Sequence, residues 1–323
     1  MSGSIAPLIL EKLAVLFLLI GTGGLVRKAG LISEEGESVV STLLVDLFWP
    51  ALIFTSITMN LNRDDILRNI SLPLFAAVTI LTGGGLGLIA VKLMKYRGVR
   101  RNSFLFQSMM NNFVFLVLPF AVLFLPERGA GLLFVHNLGT ILLLWTLCVP
   151  VLQGENRDRE KVLFKSLLKN PGIISTLAAI ILVLTGLNTR LPAAITITMD
   201  YLGAPTMAVA MLVAGSRIAG TGLKAVRLDA WNLLIALIRL ILVPLILLGL
   251  SLIIWNAGLA GPETLLIFML VNIVPVGVFS VSLANKYRAS PELMAQSVAL
   301  THVIGAGTML VWLLVLQKMP FFP

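Results

Sequence analysis

Two stretches of the sequence place asparagine shortly before proline in apolar surroundings: Asn111 and Asn112 before Pro119, and Asn272 before Pro275. A proline inside a helix removes one backbone donor and clashes with the carbonyl four residues earlier, so carbonyls near Phe115 and Val271 are expected to lose their partners. An asparagine side chain offers two donors and an acceptor to such a break. In an apolar medium an unmet peptide group is costly, so a broken helix persists only against protein or a water-lined cavity. Two such breaks that cross would turn free amides and positive helix ends toward one point, which suits an anionic solute. Taken singly, either pair is also readable as a proline kink with asparagine as helix glue.

Other polar groups fall in the same apolar runs. Arg239 lies ten residues beyond Asp229, about 15 Å deep at about 1.5 Å per residue, where a guanidinium keeps its charge. It must face protein or water and find a partner. Asp46 or Asp200 would make a structural bridge with it; a substrate carboxylate or a neighbouring proton carrier would give it a direct role. His136 and His302 are the only histidines, and an unperturbed imidazole titrates near neutral pH. Each is a candidate carrier of a coupling proton, or a neutral imidazole bonded between helices. Asp46 and Asp200 are read first as groups that cap and bond helix termini, and second as protonatable functional groups. The glycines Gly83, Gly84, Gly85 and Gly87 are expected to permit close helix packing, since they lack the strand context and Lys-Ser/Thr of a phosphate loop.

The elements that position these residues follow from composition. Of 323 residues, 58% are hydrophobic and 12% charged, against about 45–50% and about 25% in soluble domains. A soluble fold is excluded. A spanning helix needs about 20 largely apolar residues, and ten windows qualify: Leu8–Val26, Val39–Met59, Leu72–Met94, Ser103–Leu125, Gly131–Leu152, Gly172–Leu187, Leu191–Ala214, Trp231–Trp255, Thr264–Asn285 and Leu293–Leu316. Within them Asn112 lies about 13 Å and Asn272 about 12 Å from a span boundary, both near the midplane. The first window, preceded by Met1 to Pro7 and lacking a small-residue cleavage site, is expected to be a retained helix and not a signal peptide. A single cysteine, Cys148, excludes an intramolecular disulfide and a cysteine-based metal site. No cofactor and no metal is expected.

The 24 Lys and Arg exceed the 15 Asp and Glu by nine. On alternate sides of the ten spans the basic residues divide seventeen against six, with Arg239 inside a span. The positive-inside rule then explains the excess, removes nucleic acid as a partner, and places both termini on the non-cytoplasmic side of the cytoplasmic membrane. The longest polar stretch, with Arg157, Arg159, Lys161, Lys165 and Lys169, divides the chain into a first five-helix repeat over 1–152, a basic cytoplasmic linker over 153–170 and a second repeat over 171–323.

Five spans per half is an odd number, so copies must be inverted. Polar punctuation supports the relation. Asp46 precedes Pro50 as Asp200 precedes Pro205; Asn111 and Asn112 precede Pro119 as Asn272 precedes Pro275. His136 and His302 each precede a glycine by three residues, Gly139 and Gly305, with Trp145 and Trp312 farther on and Gln153 and Gln317 closing the helices. The expected fold is all-α and polytopic: ten transmembrane helices in two inverted repeats, with helices 4 and 9 broken and crossing.

The segments NNFVFLVLPF at 111–120, the Ala204–Pro205 step followed by a turn at Gly215, RLILVP at 239–244 and NIVPVGVFSVSLANKYRASPELMAQSVALT at 272–301 resemble the auxin efflux carrier family over essentially the whole chain. The resemblance implies a fold similar to that of bile acid symporters and sodium–proton antiporters. It implies a scaffold of helices 1, 2, 6 and 7, often dimeric, and a moving transport unit of helices 3–5 and 8–10. Asn111, Asn112, Pro119, Asn272 and Pro275 would sit at the crossover, Arg239, His136 and His302 on neighbouring helices of the moving unit, and Asp46 and Asp200 in the scaffold. The sequence departs from the plant members: Leu118 precedes Pro119, Val276 follows Pro275, and the central loop is short. A prokaryotic carrier of a small acid fits better than a plant-type auxin exporter.

The expected function is secondary transport of a small organic anion or carboxylate by alternating access, proton-coupled or uniport, since carboxylate-rich sodium sites are not evident in helices 4 and 9. The alternative is a membrane ligand sensor or complex subunit that uses the same fold without net transport. Catalysis is not expected, because no nucleophile, metal-ligand spacing or catalytic pair joins the histidines and aspartates.

Overall fold

The computed structural model describes residues 6–154, 169–221 and 227–322. Arg157, Arg159, Lys161 and Lys165 of the linker, and Lys224, lie outside the described residues. Among those described the secondary structure is helical, and two backbone stretches meet in one isolated antiparallel bridge, Asn111 with Val276.

Helix α1 runs Ala6–Lys28 and α2 Glu34–Thr58. A short α3, Arg63–Arg68, precedes α4, Leu72–Leu93. The fourth apolar window divides into α5, Gly98–Met109, and α6, Leu118–Phe124. Then come α7, Gly129–Gln153, α8, Pro171–Thr185, α9, Ala193–Arg217, and α10, Ala230–Asn256. The ninth window divides into α11, Pro262–Asn272, and α12, Phe279–Lys286, and α13 covers Pro291–Leu316. Seven of these segments are long and apolar enough to cross a membrane, counting α3 and α4 as one; α8 and α11 are shorter apolar helices.

Local chemistry sets the ends. Ser33 caps α2 by accepting from Gly36 N–H, Asn62 and Asp65 form a reciprocal capping box on α3, Asn170 caps α8 just before Pro171, and Asp229 caps α10. Gly186 ends α8 in the left-handed conformation at φ 74°. Three helices widen into a π turn just before a proline: Leu44–Phe48 before Pro50, Leu144–Cys148 before Pro150, and Ile238–Leu242 before Pro244. The wider turn lets the chain continue past a residue that cannot donate to the carbonyl four back. In α10 that carbonyl, Leu240 O, accepts instead from the Trp312 indole at 2.7 Å.

Packing divides the helices into two groups. The most extensive contacts join α1 to α9, α2 to α8 and α2 to α9 on one side. On the other they join α4 to α7 and α5, and α10 to α13 and α11. Helix α1 lies so close to α9 that a Cβ on Gly215 would strike the Ile20 carbonyl. Gly215 therefore sits inside α9 as a contact residue, not in a turn; the break in this helix is at Ala204–Pro205. Gly83, Gly84 and Gly87 face Ser108 and Met109 of α5, as packing glycines should, while Gly85 faces open space. Helix α11 is buried on every side from Thr264 to Asn272, the condition of a helix apolar all round.

Candidate functional site

The two divided helices meet. Between α5 and α6 residues 110–117 are not helical, and between α11 and α12 neither are 273–278. At the crossing the Asn112 N–H donates to Pro275 O at 2.8 Å, beside the Asn111–Val276 bridge. The Asn111 side-chain amide donates to Val271 O, the carbonyl that Pro275 orphans. One break thus supplies the partner that the other lacks. Gly277 is required by this approach: a Cβ there would come within 2.8 Å of Asn111 O.

The first break differs from a simple proline kink. Pro119 occupies the first turn of α6, where a missing N–H costs nothing, so the interruption lies N-terminal to it and not around Phe115 alone. One carbonyl of the break is met from α7: Asn137 Nδ2 donates to Phe113 O at 3.2 Å. Asn272 stays helical and holds α11 against α4, donating to Thr79 Oγ1 at 3.0 Å and Phe268 O at 2.7 Å, while its Oδ1 is buried without a partner. Asn137 and Thr79 were not among the residues the sequence singled out; their signal is a polar side chain in an apolar span, shared with many packing residues.

A cavity of about 280 Å³ lies beside the crossing, between the two helix groups. Asn112, Phe113, Val278 and Phe279 come from the breaks, Ser41 and Trp49 from α2, Trp145 from α7, and Ala214 and Arg217 from α9. The Trp49 and Phe115 rings stand 6.1 Å apart, and Phe113 meets Phe279 edge-on at 5.6 Å. The walls are mostly apolar with a few polar points, the usual make-up of a small-molecule site. A second opening of about 520 Å³ shares Arg217, Val278 and Ser282 with it and spreads to Arg27, Glu34 and Asn285 at the basic end of the bundle. A larger groove of about 1230 Å³ runs along α4, α5 and α7; it takes in Gly84, Gly85 and Gln153 but none of the asparagines, prolines, histidines, aspartates or the arginine selected as site candidates.

Arg217 stands at the junction. Its Nε donates to Glu37 Oε1 at 3.1 Å, Nη2 to Ser41 Oγ at 3.1 Å, and Nη1 to Ser282 Oγ at 3.0 Å; Ser216 Oγ donates to the other Glu37 oxygen. In the sequence Arg217 is one of the seventeen basic residues on the basic side, and nothing marks Glu37, Ser41 or Ser282 as its partners.

The remaining selected residues lie away from the cavity. Arg239 is fully buried and donates to Ser108 O at 3.4 Å, with Nε and Nη2 lacking partners. It stands at the C-terminal end of α5, where a cation offsets the negative helix end. The bridge with Asp46 or Asp200 is not formed: both aspartates are exposed on the outer faces of α2 and α9, and neither makes an ion pair among the described residues. His136 is buried beside Asn137, with its Nε2 unmet. His302 Nδ1 lies 2.8 Å from Val298 O of its own helix, and its Nε2 is likewise unmet. Pro119 and Pro275 are buried at the crossing, where Gly305 of α13 packs toward the Pro275 ring.

Comparison with known proteins gives the family. The sequence pattern of the membrane transport protein family matches residues 8–313. An uncharacterized transporter of Methanocaldococcus jannaschii is 23% identical over 305 residues, covering 94% of this chain and 97% of that protein. The chain belongs to the membrane transport protein family, that of the auxin efflux carriers.

Proposed function

We propose that the protein is a secondary carrier that moves a small organic anion or carboxylate across the cytoplasmic membrane by alternating access. The observation that carries this reading is the junction of the two interrupted helices, Asn112 N–H on Pro275 O, at the wall of a cavity of about 280 Å³. Irregular backbone at membrane depth is tolerated where it is packed in protein or lines a cavity, and transporters place their sites at such interruptions.

In this reading α5 with α6 and α11 with α12 are the fourth and ninth of ten spans, related by an inverted repeat. The first packing group, α1, α2, α8 and α9, is the scaffold, and α4–α7 with α10–α13 move against it. The basic end is cytoplasmic, so both termini lie outside and the cavity communicates with the cytoplasm. Asn112 meets the solute, Asn111, Asn272, Pro119 and Pro275 hold the crossing, and the buried His136 and His302 are the candidates for a coupling proton. Exposed in mid-helix, Asp46 and Asp200 are costly in lipid; a second copy docked on the scaffold would cover them.

Counterflow of a radiolabelled carboxylate into liposomes holding the purified protein tests the proposal. Wild type is expected to accumulate label, Asn112→Ala to lose most of the activity while still eluting as a single folded species, and Asn272→Ala to lose part. Binding without counterflow would favour a ligand sensor, and unchanged counterflow by both variants would defeat the assignment of the crossing.

A further inference from the structure

Among the described residues Arg217 is the one cation that lines both the cavity at the crossing and the opening at the basic end. An anion travelling between the two openings passes this guanidinium. Its neighbours come from both sides of the boundary between helix groups. Glu37 and Ser41 belong to α2, which packs with α9, whereas Ser282 belongs to α12 in the other group. The two hydroxyls are neutral and each accepts one hydrogen bond; Glu37 is a charged partner, held in addition by Ser216.

A guanidinium has five N–H donors in a planar fork that fits a carboxylate with two parallel bonds. Charge-assisted bonds to an oxyanion are stronger than bonds to hydroxyls. The two nitrogens now on Ser41 and Ser282, Nη2 and Nη1, are the ones a carboxylate in the cavity can take over. Arg217 keeps its Nε on Glu37, which fixes the plane of the fork.

Resting on the carrier reading above, we infer that Arg217 recognises the carboxylate of the transported solute, and that this exchange releases the Arg217–Ser282 bond tying α12 to α9. Substrate binding thereby loosens a polar tie between the moving unit and the scaffold. The surrounding walls, with Trp49, Trp145, Phe113 and Phe279, receive the body of the acid. With one cation among the described residues that line the cavity, a monocarboxylate with an apolar body is favoured over a dicarboxylate, whose second charge would be unmet.

The test measures equilibrium binding of benzoate, succinate and uncharged benzamide to the purified full chain, by shift of the melting temperature and by competition against the labelled acid. Wild type is expected to bind benzoate better than succinate and to ignore benzamide. Arg217→Gln should weaken benzoate at least about tenfold, and Arg217→Lys, a point charge without the fork, should recover only part of it. The paired variant Ser41→Ala with Ser282→Ala removes the competing hydroxyls and should tighten benzoate several-fold while leaving the cation in place.

Wild-type affinity for benzoate in Arg217→Gln overturns the inference, as does unchanged affinity in the serine pair, which also serves if Arg217→Gln does not fold. If wild type binds none of a wider panel of carboxylates, the carrier reading fails together with the inference. Binding that is lost in Asn112→Ala but kept in Arg217→Gln leaves the carrier reading standing and removes only Arg217.

Discussion

Arg239 on α10 is fully buried and has one carbonyl within hydrogen-bond reach, whereas Arg217 on α9 borders two cavities and is ringed by a carboxylate and two hydroxyls. The sequence suggests the opposite ranking, because depth singles out Arg239 and a helix-end position hides Arg217 among loop charges. The contrast shows that depth alone does not make a charged side chain functional. A cation deep in the bundle can serve a broken helix, as Arg239 serves the end of α5, while one at the rim can be turned inward by its partners. Guanidinium groups that hold structure and those that meet solutes should respond differently to substitution.

The largest expected effect on stability belongs to Arg239→Ala. It opens a cavity in a fully packed region and leaves the Ser108 carbonyl unmet, a loss of about 2–5 kcal/mol by analogy with large-to-small core changes. Arg239→Met fills most of that space without a charge and should restore much of the loss in thermal melting. If Arg239→Ala melted like wild type but failed to bind acid, the two arginines would have to exchange roles.

Next comes the crossing itself. Gly277→Ala pushes a methyl toward Asn111 O and the Phe279 ring and should cost about 1–3 kcal/mol. Gly85→Ala, in open space on α4, should instead gain about 0.5–1 kcal/mol. Equal melting temperatures for the two alanine variants would mean that the breaks do not approach as closely as described. A comparable loss, about 1–3 kcal/mol, is expected of Asn111→Ala, which strips the Val271 carbonyl of its donor. The smallest effect on melting, under about 1 kcal/mol, is expected of Arg217→Gln, because its ion pair with Glu37 is partly solvent-exposed. Its effect on acid binding should nevertheless exceed that of Arg239→Met.

Much of the fold was legible in the sequence. The apolar windows anticipated the helices, and the two asparagine–proline pairs anticipated both interruptions, since an orphaned carbonyl and a side-chain donor are visible in the order of residues. Asn111 meeting Val271 O is that expectation realised across 160 positions of sequence. The cluster around Arg217 was not legible. Glu37 and Ser282 lie 180 and 65 positions away, and an arginine turned into a cavity reads the same in sequence as one reaching for headgroups. The proposed Arg239 bridge failed for a related reason: counting along a helix gives depth but not the direction a side chain faces. Asp46 and Asp200 also fall within apolar spans, yet both are exposed. The π turns at Pro50, Pro150 and Pro244 were missed too, because a membrane proline has several ways to restore its lost bond and neighbouring helices decide among them.

The central claim is that a solute occupies the cavity beside the crossing, and labelling of a cysteine placed in its wall tests this most directly. Ala214 lines that cavity, and the native Cys148 is buried. In a Cys148→Ser background, Ala214→Cys is expected to react with a small water-soluble thiol reagent applied from the basic side. The carboxylate that raises the melting temperature most should slow that reaction several-fold. Reaction at the same rate with and without a bound, transported acid would contradict the account.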